Sequence, residues 1–203
     1  KQINIPKLKM NKQKVHNYYL NELQEANKIK KKLVNKKNDF FNIYKLFNST
    51  IENKKKIIFA GNGGSASDAQ HLATELTVRY KYNRKALSAI SLATDTSALT
   101  AIGNDFGFSY IFSRQIEAIG KRGDIILLIS TSGSSKNIIN AAKTAKKKKI
   151  KVVSFLGKKK SILEDFSDAF IKIPTFTTAS IQEGHIFIGQ VICGLIEENY
   201  KIK

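Results

Sequence analysis

The spacing of apolar residues divides the chain into two parts. Up to residue 52, apolar residues recur at the three- and four-residue intervals typical of one face of a helix. Asn38-Asp39 interrupts this pattern in the manner of an N-cap, so we expect two helices. We predict that residues 1–52 form an N-terminal helical extension that serves as an oligomer contact. The pattern is carried by Val15, Tyr18, Tyr19, Leu23, Ile29, Phe40, Ile43, Tyr44 and Phe47.

From Lys55 onward, short apolar runs rich in Ile and Val alternate with helix-like segments. Runs without polar alternation are typical of strands in a parallel sheet that is covered on both faces. The alternation predicts an α/β fold over residues 53–203, a doubly wound three-layer sandwich with a five-stranded parallel sheet. The predicted strands are 57–60, 89–93, 125–129, 152–156 and 169–173, and the predicted helices are 66–82, 96–103, 109–120, 136–149 and 179–200.

The composition is that of an ordinary globular domain. The chain has 203 residues, of which 42% are hydrophobic and 25% are charged. No apolar run approaches the roughly 20 residues that span a membrane, and residues 1–10 lack the apolar segment of a secretory signal. Cys193 is the only cysteine, so an internal disulfide is impossible. We expect a protein of the reducing cytoplasm with no membrane partner.

The formal net charge of +19 raises the question of a nucleic-acid partner. All but four of the 35 basic residues are lysines, whereas nucleic-acid recognition commonly uses arginine forks. The lysines are spread over helices and loops without the interleaved aromatic residues of a stacking platform. The pattern favours a solvated basic surface, which attracts anionic substrates, over a nucleic-acid site.

Two Gly/Ser-rich turns each follow a predicted strand and precede a predicted helix. The first is Gly61-Asn62-Gly63-Gly64-Ser65, and the second is Ser130-Thr131-Ser132-Gly133-Ser134-Ser135. Backbone N–H groups at a helix N-terminus, together with five hydroxyls in the second turn, suit the oxygens of a phosphate ester. The alternative is an ordinary strand-to-helix turn with a serine N-cap. Neither turn matches the G-x-x-x-x-G-K-[ST] loop, and no acidic residue supports a dinucleotide fingerprint.

Two groups of polar residues on predicted helices are candidates for chemistry. His71 and Glu75 are four residues apart, so they share a helix face and can hold one metal ion or one reacting carbon. The alternative is a surface ion pair. The last predicted helix is otherwise apolar but carries four polar residues, Gln182, Glu183, His185 and Gln190. The alternative there is a hydrogen-bonded network inside the core.

Four segments together resemble the phosphoheptose isomerase family, which is built on the sugar isomerase (SIS) domain. They are G-N-G-G-S-A-S-D-A-Q-H-L-A-T-E-L, T-D-T-S-A-L-T-A-I-G-N-D-F-G-F, I-S-T-S-G-S-S-K-N and I-Q-E-G-H-I-F-I-G-Q. The third marks SIS domains generally, and the others point to the heptose branch. The resemblance covers residues 55–198 and implies a cytoplasmic homotetramer with active sites at subunit interfaces.

Members of this family convert D-sedoheptulose 7-phosphate to D-glycero-D-manno-heptose 7-phosphate. This aldose–ketose isomerisation is the first step toward ADP- or GDP-heptose for lipopolysaccharide core, capsule or other surface glycans. The resemblance implies a zinc ion held by His71, Glu75 and Gln182, with Glu75 also acting as the base. The implied substrate contacts are Asn62, Gly63, Gly64, Ser65, Arg79, Asp105, Ser130, Thr131, Ser132, Ser135 and Gln182.

One position departs from the family pattern. The family has a histidine, as its remaining zinc ligand and second acid/base, where this chain has Gln190. A glutamine offers a carbonyl oxygen to a metal but has no titratable nitrogen. His185 is a poor substitute, because about 140° of helix rotation separates it from Gln190. Gln182 and Gln190 are about 12 Å apart along a straight helix, so we expect a neighbouring subunit to supply one of them.

A second class of function stays open from the sequence. Some SIS proteins are non-catalytic binding proteins, either partners of a replication initiator or sensors of sugar phosphates. Gln190 and the positive charge favour that alternative, whereas the presence of both His71 and Glu75 favours an isomerase.

Overall fold

The computed structural model describes residues 10–201 and confirms the α/β sandwich. Residues 1–9 of the predicted extension and residues 202–203 lie outside the described residues. The strands are β1 (Ile57–Gly61), β2 (Ala89–Ser91), β3 (Ile125–Ser130), β4 (Lys151–Leu156) and β5 (Ala169–Lys172). The helices are α1 (Lys12–Leu33), α2 (Lys37–Glu52), α3 (Gly64–Thr77), α4 (Thr96–Asp105), α5 (Ser113–Ile119), α6 (Lys136–Lys147), α7 (Leu163–Phe166) and α8 (Thr178–Tyr200).

The sheet is parallel throughout and has the order β2-β1-β3-β4-β5. β1 therefore pairs with β2 on one side and with β3 on the other, so the winding direction reverses between β1 and β3. Ligands of doubly wound sheets bind outside the carboxyl ends of the strands at such a reversal. The two Gly/Ser-rich turns follow β1 and β3, and both therefore lie at this point of the sheet.

The two helical layers bury separate cores on opposite faces of the sheet. One core joins α2, α3 and α8 to residues such as Phe59 and Phe155, and the other joins α5 and α6 to residues such as Ile58 and Leu128. Successive residues of one strand point to opposite faces, so the unbroken apolar runs of β1 and β3 supply both cores. This is why these strands show no polar alternation.

The N-terminal part contains two helices, as predicted, but the junction differs from the prediction. A 3-10 turn, Val34–Lys36, joins α1 to α2, and α2 begins at Lys37. Asn38-Asp39 therefore lies inside the first turn of α2, so its prediction as an N-cap is wrong; Lys36 occupies the cap position without a side-chain hydrogen bond. α2 packs into the core of the sheet through Ile43 and Phe47. The division of the chain at residue 52 stays a prediction.

Helix α8 corrects the expectation that no apolar segment is long enough to span a membrane. It has 23 residues and is apolar enough to do so by length and composition. In this fold it packs beside α3, with Ile188 and Ile192 buried in the core. It also buries the charged side chain of Glu197, which pairs with Arg84. These contacts are those of a core helix, so its length and hydropathy reflect burial in the protein.

Candidate active site

The first Gly/Ser-rich turn bends sharply from β1 into α3. Gly61 ends the strand, and a Cβ there would overlap the backbone carbonyl of Ser65. Gly63 has a φ of 55°, which favours glycine, and Ser65 donates its N–H to the Asn62 carbonyl over 3.0 Å. The side chain of Ser65 is buried at the start of α3. The turn thus brings the N-terminus of α3 and one hydroxyl to the edge of the sheet.

The second turn uses its own hydroxyls to hold its shape. Ser130 Oγ accepts from the N–H of Gly133 over 3.0 Å, and Ser132 Oγ accepts from the N–H of Ser134 over 3.3 Å. Gly133 has a φ of 62°. Ser130 is buried, Thr131 and Ser135 are half-buried, and Ser132 is exposed at the mouth of the turn. Ser135 is the cap residue from which α6 begins.

A pair of amides fixes the two turns to each other. Asn62 Nδ2 donates to Asn137 Oδ1 over 2.9 Å, and Asn137 Nδ2 donates to Asn62 Oδ1 over 2.8 Å. The strands that lead into the turns also pair directly, with Gly61 opposite Ile129. The prediction that both turns form one site at the sheet edge agrees with this geometry. Asn62 has a positional role here, in addition to the predicted substrate contact.

His71 and Glu75 contact each other on α3. His71 Nε2 lies 2.8 Å from Glu75 Oε1, and the side chains are 48% and 16% exposed. A histidine and a carboxylate that meet at a partly open surface can bind a metal ion or exchange a proton with a ligand. The Glu75 backbone carbonyl accepts from Arg84, which anchors this turn of α3 to the chain that follows the helix.

Gln182 and Gln190 on α8 lie beside different turns of α3. Gln182 lies against the first turn of α3, where a Cβ on Gly64 would overlap its amide. His71 is seven residues farther along α3, which corresponds to about 10 Å. Zinc ligands lie about 2 Å from the ion. The contacts of one chain therefore place Gln182 beside the first turn of α3 and His71 about two turns later.

Gln190 lies nearer the level of Glu75. Its neighbour Gly189 packs on Leu72, and Cys193, one turn later, is buried beside the Leu72 carbonyl. Burial raises the pKa of the Cys193 thiol to about 12, and the negative charge of Glu75 adds to this rise. Gln190 is half-buried on this part of α8. Over residues 10–201, no group of three or more His, Cys, Asp or Glu side chains forms a metal centre.

Two other predicted substrate contacts are exposed at the C-terminal ends of helices. Arg79 is exposed beyond the C-terminal end of α3, and Asp105 is exposed at the end of α4, where it accepts from Asn104 Nδ2 over 2.9 Å. The turns lie at the opposite end of α3, about 20 Å from Arg79 by helix length. The fold of one chain does not bring Arg79 to the turns.

The structure adds one acidic residue that sequence reasoning missed. Asp68 lies on α3 one turn before His71, and its Oδ2 is buried without a hydrogen-bond partner among the described residues. Burial raises the pKa of Asp68 to about 6, although the neighbouring His71 opposes the rise. The three-residue spacing from Asp68 to His71 was the available signal. A second carboxylate therefore borders the His71–Glu75 pair.

His185 belongs to the core. Its side chain is fully buried, and its ring lies 5.9 Å from the ring of Phe155 on β4. Burial lowers the pKa of His185 to about 4, so the ring is neutral at physiological pH. It cannot supply the acid/base group that is missing at Gln190, because its ring faces the sheet.

Comparison with known proteins identifies relatives of the whole fold. The SIS domain model matches residues 19–157. A phosphoheptose isomerase from Nitratiruptor sp. is 50% identical over 150 residues, which cover 74% of this chain and 80% of the relative. One from Helicobacter pylori is 51% identical over 154 residues, covering 76% and 80%. A solved phosphoheptose isomerase from Francisella tularensis superposes with a TM-score of 0.86 at 32% identity, over 93% of this chain and 100% of that chain.

Proposed function

This chain belongs to the SIS domain family and, within it, to the phosphoheptose isomerases, and we propose that it converts D-sedoheptulose 7-phosphate to D-glycero-D-manno-heptose 7-phosphate. The observation that carries the proposal is the placement of two hydroxyl-bearing turns at one sheet edge, with the His71–Glu75 pair on the helix that leaves the first turn. An aldose–ketose isomerase of sugar phosphates needs a phosphate cradle and a base, and these two features supply them.

The turns hold the phosphate by backbone and hydroxyl donors. Ser65 stands at the N-terminus of α3, and Ser130, Thr131, Ser132 and Ser135 stand at the N-terminus of α6. Helix N-termini favour an anion, and hydroxyls donate to phosphate oxygens. Since the amide pair of Asn62 and Asn137 fixes the turns to each other, the cradle forms before the substrate arrives.

Glu75 is the base of the proton transfer. Its carboxylate removes a proton from C1 of the ketose while O2 gains a proton, which gives the enediol. Loss of the O1 proton and return of a proton to C2 then give the aldose. His71, in contact with Glu75, holds the carboxylate in place. Negative charge develops on the sugar oxygens during this transfer and needs a stabilising partner.

Zinc is the proposed partner for that charge. His71 and Glu75 are suitable ligands, and Gln182 and Gln190 offer carbonyl oxygens. When bound, zinc would polarise the substrate carbonyl as a Lewis acid. Of these four residues, His71 and Glu75 are the two that a hydrogen bond joins within the described chain. We infer that a neighbouring copy supplies Gln182.

Exposed apolar and aromatic side chains on α1 support the proposed assembly into a homotetramer. Val15, Tyr18, Tyr19 and Leu23 are exposed along this helix, although such side chains are usually buried.

Dilution tests the shared site: we expect turnover and bound zinc per chain to fall together as sedimentation shows the assembly dissociating. A monomer with full turnover and full zinc content would contradict the shared site.

Gln190 limits the rate in this proposal, because its amide cannot carry a proton. We expect Gln190→His to raise turnover of sedoheptulose 7-phosphate about a hundredfold in the presence of zinc, within the range for general acid–base catalysis. Aldose formation is followed by NMR, and Lys147→His at the exposed end of α6 is the control, because it adds a histidine away from α1 and α8.

Each outcome of this experiment assigns the chain differently. Equal turnover by the wild type and Gln190→His would move the second proton transfer to Glu75 or a water molecule. No turnover by either protein would contradict the isomerase and favour a non-catalytic SIS binding protein. We propose that the protein is a soluble cytoplasmic enzyme whose product is used in the synthesis of surface glycans.

A further inference from the structure

The loop between β4 and α7 carries three consecutive lysines, Lys158, Lys159 and Lys160, which we call the lysine loop. It is held against the second Gly/Ser-rich turn at both ends. A Cβ on Gly157, just before the loop, would overlap the Thr131 carbonyl oxygen, and a Cβ on Gly133 would overlap Ser161 Oγ, just after the loop. Both glycine contacts leave no room for a side chain, so the lysine loop is fixed beside the turn.

A cavity of about 190 Å³ separates the lysine loop from the turn. Thr131 and Ser132 line one side, and Lys158 and Lys159 line the other. Thr178 and Ile181 at the start of α8 also line the cavity. The same hydroxyls that are expected to hold the phosphate thus share a cavity with two cationic side chains.

The two lysines are free to bind an anion. Within the described chain, neither forms an ion pair with a carboxylate, and both side chains are exposed. The Lys158 ammonium instead lies 4.7 Å from the centre of the Phe176 ring. An exposed cation–π contact is weak compared with a charge-assisted hydrogen bond to phosphate. The turn itself supplies donors but no positive charge.

We propose that Lys158 and Lys159 form a cationic wall of the phosphate pocket and strengthen its binding of the phosphate group. This inference rests on the proposed function, since it assigns further residues to the same phosphate site. The hydroxyls and backbone N–H groups of the turn orient the phosphate, and the lysines neutralise its charge. Lysine suits this role as a point charge on a flexible stem.

The test compares two double variants that remove the same charge. Lys158→Gln/Lys159→Gln removes the cationic wall, and Lys45→Gln/Lys143→Gln removes two lysines that also rest over phenylalanine rings but lie on α2 and α6. Binding of inorganic phosphate is measured by calorimetry, and KM and kcat are measured with sedoheptulose 7-phosphate. Circular dichroism checks that each variant is folded.

We expect the first pair to weaken phosphate binding at least tenfold and to raise KM similarly with little change in kcat. The reason is that the lysines contact the phosphate equally in the bound substrate and in the transition state. We expect the control pair to change the phosphate affinity and KM by less than twofold. Unchanged phosphate affinity and KM in the first pair would overturn the proposal while leaving the isomerase intact. A wild type that neither binds phosphate nor turns over the sugar would overturn the phosphate site and its cationic wall together.

Discussion

Replacement of Glu75 by glutamine is expected to lower turnover of sedoheptulose 7-phosphate by about 10²–10⁴-fold, the usual contribution of a general base. The amide has nearly the shape of the carboxylate but cannot accept a proton from carbon. Since the proposed phosphate cradle lies at the other end of α3, we expect inorganic phosphate to bind Glu75→Gln as it binds the wild type. Turnover is followed by NMR and phosphate binding by calorimetry.

Glu117→Gln is the matched control, because Glu117 is an exposed carboxylate on α5, away from the turns. It should keep the turnover of the wild type. Retained turnover in Glu75→Gln would remove Glu75 from the proton transfer. A loss of phosphate binding together with turnover would instead show that the substitution disturbs the cradle, which contradicts the separate roles assigned to the two ends of α3.

Glu197→Ala is expected to lower the free energy of unfolding by about 3–5 kcal/mol, the usual cost of breaking a buried ion pair from one side. Glu197 is 1% exposed and accepts from the N–H groups of Tyr80, Lys81 and Tyr82 over 2.6–2.9 Å. Arg84 Nε lies 3.3 Å from the same carboxylate. The substitution leaves the buried Arg84 charge and three part-buried N–H groups without this partner. Urea unfolding at neutral pH measures the loss.

The next residue along the chain provides the control. Glu198 is exposed and forms a surface ion pair with Lys201, so Glu198→Ala should change the free energy of unfolding by less than about 1 kcal/mol. Equal effects of the two substitutions would contradict the role of the buried pair.

The hydrogen bonds of Glu197 also lower its pKa. Its stabilising contribution is therefore present above the ordinary carboxyl pKa and is lost as the pH falls through the lowered value.

The strands and the turns were predictable from sequence because they depend on local patterns. Each of the five strands is an apolar run at its predicted place, and Gly61 and Gly133 mark bends that only small residues allow. The pair of His71 and Glu75 was predictable from helical spacing alone. Local periodicity therefore predicts the strands of the sheet, the first turn and the face of α3 that carries His71 and Glu75.

Other features depend on contacts between distant residues. Tyr80 and Glu197 are 117 positions apart, so nothing in the local sequence around either residue indicates their hydrogen bond. The short helix α7 was missed because four residues carry too little periodicity, and the buried carboxylate of Asp68 reflects packing that spacing does not express. The level at which α8 crosses α3 depends on Gly189 meeting Leu72, a contact of tertiary packing.

The contact between α3 and α8 also has a consequence for biosynthesis. Ribosomes add residues in order, and α8 emerges after all five strands, whereas α3 follows the first of them. During translation Leu72 and the backbone of residues 80–82 stay without the partners that Gly189 and Glu197 later supply. Contacts between such distant segments slow folding. A nascent chain stalled before residue 178 would therefore expose the apolar side of α3 to chaperones and proteases.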